Sequence, residues 1–242
     1  MKMEKYPERK EFEDRLRNLG ITLTERQYQQ FMEYYELLIE RNKVMNLTAI
    51  TELSEVITKH FIDSLALVKA FEPGNERLLD LGTGAGFPGI PLKIAFPELN
   101  IVLLDSLKKR LIFLDEVIEK LELKNISTLH GRAEDYGKDN NYREQFDYCV
   151  SRAVARLSSL SEYCLPYVRK GGFFISYKSG NMEEELNSSK RAMKLLGAKL
   201  KEVIEYQLPN TDMNRSLIVI EKTEHTPKNY PRAAGKPSKE PL

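Results

Sequence analysis

The chain has few of the residues that build disulfide frameworks and metal sites. It contains two cysteines, Cys149 and Cys164, and three scattered histidines in 242 residues. Neither set has the spacing of a metal-binding cluster, and isolated cysteines are typical of a reducing compartment. The sequence therefore predicts a cytoplasmic protein with no metal site and no disulfide-stabilised fold.

Long apolar runs are also absent. No stretch approaches the roughly 18 consecutive apolar residues of a membrane span, and the charged N-terminus lacks the apolar segment of a secretion signal. With 41% hydrophobic and 30% charged residues, the composition is typical of a soluble globular protein. We expect a monomer without membrane contact.

The chain has almost no excess of either charge, with a net charge of +1, but its C-terminus is basic. Residues 222–242 combine Glu224 and Glu240 with five basic side chains, Lys222, Lys228, Arg232, Lys236 and Lys239. Four prolines in the last 18 residues predict an extended tail over 224–242. Such a tail is compatible with a solvated end or with a polyanionic partner, and the composition leaves both open.

The first 75 residues have the pattern of helices. Gly20 is a helix stop signal, and Thr24 and Gln27 have the spacing of a capping box. A third helix is predicted over 52–71, and the breaker "EPGNE" at 72–76 marks a boundary. We predict an N-terminal helical region, 1–75, packed on a core of residues 76–223.

From residue 77, apolar strand segments alternate with amphipathic helices, which predicts a mostly parallel α/β sheet with helices on both faces. The last two strands, 198–208 and 215–222, are joined by "PNTDMN", which is too short for a helical crossover. We therefore expect a hairpin and one antiparallel strand. The other predicted strands are 77–81, 100–106, 126–131, 146–153 and 172–180, and the helices between them are 90–96, 108–123, 157–168 and 182–197.

Four glycines, at 82, 84, 86 and 89, follow the first strand, at the place where parallel sheets bind ligands. No Gly-Lys-Ser/Thr follows, which excludes a Walker phosphate loop. The segment "GAGFPG" matches the dinucleotide fingerprint and Asp105 could bind a ribose, so an NAD-dependent oxidoreductase stays open. However, Asp80 lies directly before the turn at Gly82, and an acid there favours a cationic ligand over a pyrophosphate.

The segment "DLGTGAG" resembles the first motif of class I S-adenosylmethionine-dependent methyltransferases. Over a longer span the chain resembles the RsmG (GidB) family, in the segments "NLTAI…KHFIDSLAL", "LLDLGTGAGFPGIPLKI", "LLDSLKKRLIFLDEV", "GRAEDY", "SRAVARL" and "YPRAAGKPSKEPL". These matches run in order from Asn46 to Leu242. That family methylates guanine N7 in the decoding-region loop of bacterial small-subunit (16S) rRNA.

The resemblance implies a Rossmann-like class I fold that binds S-adenosyl-L-methionine. Asp80 would face the ammonium group of the cofactor or orient the loop, Asp105 would accept the ribose hydroxyls, and Ala133 and Glu134 match the family's adenine-side pair. The implied cofactor-binding residues are Asp80, Gly82, Gly84, Gly86, Phe87, Asp105, Ser106, Leu107, Ala133, Glu134 and Arg152.

Two motifs of other base methyltransferases are missing. The segment "SRAVAR" stands where exocyclic-amine methyltransferases carry an Asn/Asp-Pro-Pro-aromatic run. By position, Cys149 and Cys164 are core residues rather than the nucleophile that pyrimidine-carbon methylation needs. Guanine N7 already carries a lone pair and loses no proton, so we assign no catalytic acid or base and expect catalysis by positioning.

RNA contacts are expected from basic side chains near the pocket mouth and in the tail. The candidates are Lys109, Arg110, Arg156, Lys178, Arg232, Lys236 and Lys239. On this interpretation, loss of residues 228–242 weakens RNA methylation and spares cofactor binding. His60 and Asp63 share one helix face, either shaping the substrate side or forming a buried hydrogen-bonded pair.

The expected partner is 16S rRNA in an assembling or complete small subunit. A tRNA guanine methyltransferase and a non-enzymatic ribosome-binding protein with a vestigial pocket remain alternatives.

Overall fold

The N-terminal part is helical, as its pattern predicts. The structure is a computed structural model that describes residues 8–152, 155–180 and 182–242. Helix α1 (Arg9–Arg17) is followed by Gly20 with φ +73°, and α2 (Glu25–Met45) begins at the predicted capping box. There the Thr24 side chain accepts from the Gln27 amide, and the Gln27 side chain accepts from the Thr24 amide.

The predicted third helix, 52–71, is helical but irregular. It consists of α3 (Leu53–Val56), a π-helical segment (Ile57–Ile62), α4 (Asp63–Leu65) and a 3₁₀ turn (Ala66–Lys69). Side-chain hydroxyls bond back to this backbone, with Thr58 Oγ1 donating to Ser54 O at 2.7 Å and Ser64 Oγ donating to His60 O at 2.5 Å. Wider π turns are often found at functional sites, and this one carries Lys59 and His60.

A seven-stranded sheet forms the centre of the molecule, in the order β3-β2-β1-β4-β5-β7-β6. Among the strands of the described residues, β7 alone runs opposite to the direction of the others, which confirms the predicted hairpin and the single antiparallel strand. The strands are β1 (Arg77–Leu81), β2 (Asn100–Asp105), β3 (Ile126–His130), β4 (Phe146–Ser151), β5 (Val168–Ser179), β6 (Ala198–Gln207) and β7 (Asn214–Lys222).

Helices cover both faces of this sheet. The chain supplies α5 (Gly89–Ala95), α6 (Lys108–Lys120), α7 (Ala133–Tyr136), α8 (Leu157–Cys164), a 3₁₀ turn (Leu165–Tyr167), α9 (Glu183–Leu195) and α10 (Lys236–Lys239). One core cluster joins α1 and α2 to the side of the sheet covered by α5 and α6, and a second lies under α8 and α9. The N-terminal helices therefore share a core with the sheet.

Two strand bounds differ from the prediction by more than one residue. Strand β5 begins at Val168, four residues before the predicted 172, because the Gly171–Gly172 pair continues the strand past a register shift against β4. Gly171 has φ +81°, and a Cβ on Gly172 would lie 2.5 Å from Asp147 O. Strand β4 ends at Ser151, and the predicted continuation to Ala153 lies outside the described residues.

The tail over 224–242 differs most from its expectation, since it is packed against the sheet domain and carries α10. Thr226 and Pro237 are buried, and Arg143 donates to the carbonyl oxygens of Thr226, Pro227 and Tyr230. Proline-rich composition removes helical and strand periodicity, but these backbone carbonyls still find a donor. Across the described residues, no helix has the length and apolar character that a membrane span needs.

Candidate active site

The glycine loop after β1 is fixed against the carboxyl end of β2. Gly82 N donates to Leu104 O at 2.8 Å, and Gly84 N donates to Asp105 Oδ2 at 3.0 Å. Asp105 is buried and also accepts from Leu107 N at 2.8 Å and from Arg110 Nη1 at 3.2 Å. The structure thus brings the predicted residues of the first two strand ends together, and the space beyond these strand ends, where parallel sheets bind ligands, is called the crevice from here on.

Asp80 carries the most unusual carboxylate of this crevice. It is fully buried, and its Oδ2 accepts from Thr83 Oγ1 at 2.7 Å and from Gly89 N at 2.8 Å. Its Oδ1 has no hydrogen-bond partner among the described residues. Burial raises the pKa of Asp80 to about 6, although the Thr83 and Gly89 hydrogen bonds oppose the shift. A buried acceptor without a partner is costly, and an ammonium donor would satisfy it.

The three loop glycines have different surroundings. All have positive φ, at +74° for Gly82, +61° for Gly84 and +101° for Gly86. A Cβ on Gly84 would meet nothing nearer than Gly82 O at 3.9 Å, so this side of the loop is open. A Cβ on Gly86 would lie 2.6 to 2.9 Å from Ile90, Leu114 and Tyr34 side-chain atoms. Gly84 therefore leaves ligand space, whereas packing requires Gly86.

Phe87 joins the loop to the N-terminal helices. Its buried ring stacks on His60 with centroids 4.4 Å apart, and the Arg152 guanidinium carbon lies 5.1 Å from its centroid. Behind the loop, the buried Tyr34 hydroxyl of α2 donates to Ala85 O. The N-terminal helical region thus packs against the glycine loop and holds it in position. The sequence of that region did not predict this contact.

A cavity of about 870 Å³ is lined in part by His60 and Arg152, both of which contact the ring of Phe87. It is lined by basic side chains from the π-helical segment, from the chain after β4 and from the β5 and β7 strands, with Asp63 and Glu185 as the acids. The basic lining residues are Lys59, His60, Arg152, Arg156, Lys178 and Arg215. Arg156 and Lys178 were predicted RNA contacts, whereas Lys59 and Arg215 had no sequence signal.

Asp63 is the centre of an ion network at this cavity. Its carboxylate accepts from Arg152 Nη1 at 3.0 Å and from Tyr206 Oη at 2.9 Å, and Arg215 Nε lies 3.7 Å away. Arg152 therefore lines the cavity with its charge paired to Asp63, besides contacting the ring of Phe87. Asp63 is buried, so it ties the helical region to the sheet and shapes the cavity wall.

His60 is held in its neutral form at this wall. Its Nε2 lies 2.8 Å from Thr48 Oγ1 and its Nδ1 lies 3.4 Å from Arg152 Nη2. Because a guanidinium only donates, Nδ1 accepts and Nε2 carries the hydrogen toward Thr48. Burial, and next the charge of Arg152, lowers the pKa of His60 to about 3.

The remaining residues predicted for the site are either exposed or already hydrogen-bonded within the protein. Ser106, Leu107 and Lys109 are exposed beside Asp105, and Arg156 is exposed at the cavity. Lys178 is hydrogen-bonded within the protein, because its Nζ donates to Ala155 O at 2.6 Å and to Glu185 Oε1 at 2.7 Å.

Ala133 and Glu134 begin α7, directly after β3, and both are buried. Tyr167 Oη donates to Ala133 O at 2.6 Å, and Glu134 Oε1 accepts from Gly235 N of the tail at 2.7 Å.

Of the tail cations, Arg232 is paired with the buried Glu162, whereas Lys236 and Lys239 are exposed. Arg232 thus already has an intramolecular partner, and the RNA contact expected for it stays a prediction.

Neither a reactive thiol nor a metal cluster is present in the described part of the chain. Cys149 and Cys164 are fully buried, and burial raises the pKa of the Cys149 thiol well above its ordinary value. No group of three or more His, Cys, Asp or Glu residues within 8–152, 155–180 and 182–242 could hold a metal ion. Both cysteines are core residues, as their positions predicted.

Comparison with known proteins gives a consistent result. Residues 27–217 match the sequence profile of a family described as "GidB: rRNA small subunit methyltransferase G". The chain is 60% identical over 228 residues to the ribosomal RNA small subunit methyltransferase G of Lachnoclostridium phytofermentans, covering 94% of each protein. It is 53% identical to the protein of the same name from Acetivibrio thermocellus, covering 92% of each.

Solved structures share the fold at much lower identity. TYW2 from M. jannaschii, in complex with AdoMet, superposes with a TM-score of 0.55 at 14% identity, covering 72% of this chain and 79% of that one. TrmN from Thermus thermophilus superposes with a TM-score of 0.51 at 18% identity, covering 69% and 53%. The fold is that of class I S-adenosylmethionine-dependent methyltransferases, as predicted.

Proposed function

The chain belongs to the GidB family of small-subunit rRNA methyltransferases, and we propose that it transfers a methyl group from S-adenosyl-L-methionine to guanine N7 in the decoding-region loop of 16S rRNA. The observation that supports this most strongly is the buried Asp80 Oδ1, which has no partner in the described structure and lies near the end of β1, just before the glycine loop. An oxidoreductase is set aside because the family consists of methyltransferases.

The crevice residues fit this cofactor. The unpartnered Asp80 oxygen suits an ammonium donor, and Asp105 is a buried acceptor at the adjacent strand end that suits a ribose diol. Leu107, 43% exposed, offers an apolar surface next to Asp105, and α7 brings Ala133 and Glu134 to the third strand end. When bound, S-adenosyl-L-methionine supplies a methyl group on a sulfonium centre, which a lone pair can take without proton transfer.

The cavity residues support a base acceptor that needs no deprotonation. His60 is neutral, its ring is stacked on Phe87 and its Nδ1 faces the Arg152 guanidinium, so it is engaged in structure rather than free as a base. The cysteines are buried and no thiolate faces the cavity in the part of the chain described here. Orientation of the base beside the cofactor crevice is then the main contribution of the protein to the rate.

The charge of the cavity supports an RNA substrate. Arg156 and Lys59 stand at its wall together with Arg215, and phosphate neutralisation by such side chains supplies much of the affinity of RNA-binding proteins. A cavity of about 870 Å³ is larger than one nucleotide requires, which suits a flipped-out guanine with its flanking backbone. We propose that the protein acts as a monomer in the cytoplasm, on rRNA within a small-subunit particle.

Titration calorimetry tests the cofactor half of this proposal. S-adenosyl-L-methionine and S-adenosylhomocysteine are titrated into the wild-type protein and into Asp80→Ala, with NAD as the negative ligand. We expect saturable one-site binding to wild type, at least tenfold weaker binding to the variant and no heat with NAD. Binding of NAD in preference to both sulfur compounds would contradict the assignment of the crevice.

A further inference from the structure

The C-terminal tail, residues 224–242, is attached to the sheet domain by a buried ion pair. Glu162 of α8 has no exposed surface, and its carboxylate accepts from Arg232 Nη2 at 2.5 Å and Nε at 2.9 Å and from Arg232 N at 2.8 Å. Arg232 Nη2 also donates to Glu240 O at 2.8 Å, within the tail itself. A carboxylate this buried requires its partner, so the tail position is part of the folded state.

This ion pair sets the position of the next tail residues over α7 and α8. Three residues after Arg232, Gly235 N donates to Glu134 Oε1 at 2.7 Å. Two residues further, Pro237 is buried and its carbonyl accepts from Ser159 Oγ at 2.8 Å. The tail therefore holds the Glu134 side chain by a backbone donor that only the docked conformation supplies.

Glu134 belongs to the wall of the cofactor crevice by topology. The chain leaves β3 at His130, which pairs with Asp105 of β2, and Gly131 N donates to Asp105 O at 3.2 Å. The turn into α7 thus contacts the backbone of Asp105 at the end of β2, and Tyr167 Oη donates to Ala133 O at the start of α7. Ligands of open parallel sheets lie beyond these strand ends, so a shift of α7 changes the crevice.

We propose that the tail is a clasp for the cofactor crevice, in which Arg232 and Glu162 act as positioning residues for Glu134. The clasp rests on the proposed function, because its ligand is the S-adenosyl compound assigned to that crevice. It reverses the expectation that loss of residues 228–242 spares cofactor binding. Tail docking and cofactor binding each stabilise the other, and by linkage the two effects are equal in size.

A pair of tail variants separates the clasp from a charge effect. Arg232→Gln and Lys228→Gln each remove one positive charge from the tail, but Lys228 is exposed and has no ion-pair partner in the described residues. We expect Arg232→Gln to raise the Kd and KM for S-adenosyl-L-methionine about tenfold, a factor that equals about 1.4 kcal/mol, with the KM for RNA little changed. Lys228→Gln should leave the cofactor constants at wild-type values, and Arg232→Lys should restore part of the affinity.

Hydrogen exchange of the wild-type protein tests the same coupling without any substitution. Saturating S-adenosylhomocysteine should slow hydrogen exchange of the tail peptide that contains the Gly235 amide. The exchange rate should fall by the same factor by which Arg232→Gln raises the Kd for the cofactor. The clasp is contradicted if wild type and Arg232→Gln bind the cofactor with equal affinity. It is also contradicted if a bound ligand leaves the hydrogen exchange of the tail unchanged. Failure of the wild type to bind either S-adenosyl compound contradicts the proposed function instead, and the clasp falls with it.

Discussion

Single carboxylates lie at the ends of the two strands that border the proposed cofactor crevice. Asp80 and Asp105 are both buried, but Asp105 has both oxygens occupied by donors, whereas Asp80 has an oxygen without a partner in the described chain. The cofactor-free protein thus holds a destabilising group where the ligand is expected. Binding sites often carry such a cost in stability.

Substitution of Asp80 should separate stability from binding. Its pKa is raised from 3.8 to about 6, so protonation stabilises the fold below pH 3.8 and this contribution is lost as pH rises through 6. Asp80→Asn does not titrate, so its free energy of unfolding should rise relative to that of wild type as pH increases. We expect this difference to increase by about 1 to 3 kcal/mol between pH 4 and 6 and to stay constant at higher pH. Urea unfolding of both proteins without cofactor measures it, and parallel pH profiles would refute it.

His60 should produce the opposite pH dependence. Its pKa is lowered from 6.5 to about 3, so its contribution to stability is complete above pH 6.5 and is lost as pH falls toward 3. Relative to His60→Gln, the wild type should lose about 2 kcal/mol between pH 7 and pH 5. Unfolding curves at these two values test this, and an unchanged difference between the proteins would show that His60 protonates freely.

The sequence located the acids and glycines of the crevice because each follows a strand with a clear apolar pattern. It could not assign partners that come from distant parts of the chain. Arg152 pairs with Asp63 and Arg232 with Glu162, across separations of 89 and 70 residues. The residues around each arginine give no indication of its ion-pair partner. The sequence therefore predicted a cofactor contact for Arg152 and an RNA contact for Arg232.

Among the elements, the glycine loop depends on the helix behind it. Tyr34 of α2 donates to Ala85 O, and its hydroxyl leaves no room for a side chain at Gly86. The N-terminal helices and the loop therefore pack as one unit, joined by the stack of His60 on Phe87. Changes in α2 are expected to reach the cofactor crevice through this contact.

Two alanine substitutions distinguish packing from ligand space in the loop. Both positions have positive φ, which costs an alanine about 1–2 kcal/mol, but only at Gly86 does the new Cβ also clash with Tyr34, Ile90 and Leu114. We expect Gly86→Ala to destabilise the protein by about 2–5 kcal/mol and Gly84→Ala by clearly less. Thermal unfolding without cofactor compares them, and equal losses would show that the loop relaxes around Gly86.

Periodicity predicted nearly every helix and strand, and the errors have local causes. The π-helical segment Ile57–Ile62 has the same apolar spacing as an α-helix, so its wider turn left no trace in the pattern. Strand β5 begins earlier than predicted because the glycine pair at 171 and 172 has the composition of a turn yet lies within a strand. Whether such a segment forms a strand depends on its pairing with neighbouring strands, which the local sequence does not show.

For the whole molecule, the distribution of charge matters more than its sum. A net charge of +1 gives no sign of an RNA partner, yet basic side chains from four separate segments meet at one cavity. The tail was predicted to be the main basic feature, but its central arginine, Arg232, is paired with the buried carboxylate of Glu162. Because the tail has no periodic pattern, only the tertiary structure reveals where it docks.

Removal of one free cavity cation should weaken RNA binding in a salt-dependent way. Arg156 is exposed at the cavity, and no salt bridge to it is found in the part of the chain described. Arg156→Gln should lower RNA affinity and reduce the slope of log affinity against log salt by about 0.7 to 0.9. Lys124→Gln, which removes an exposed charge at the opposite edge of the sheet just before β3, is the control. Equal slopes for both variants would contradict a cavity contact.

The most direct test of the account is to map the methylated nucleotide. Small ribosomal subunits from a bacterial strain lacking this gene are incubated with the purified protein and labelled S-adenosyl-L-methionine, and the rRNA is digested for mass spectrometry. We expect one new 7-methylguanosine in the decoding-region loop of 16S rRNA, and none with Asp80→Ala. A methyl group on another nucleotide or another atom of 16S rRNA, or no methylation of the subunits, would contradict the proposed function.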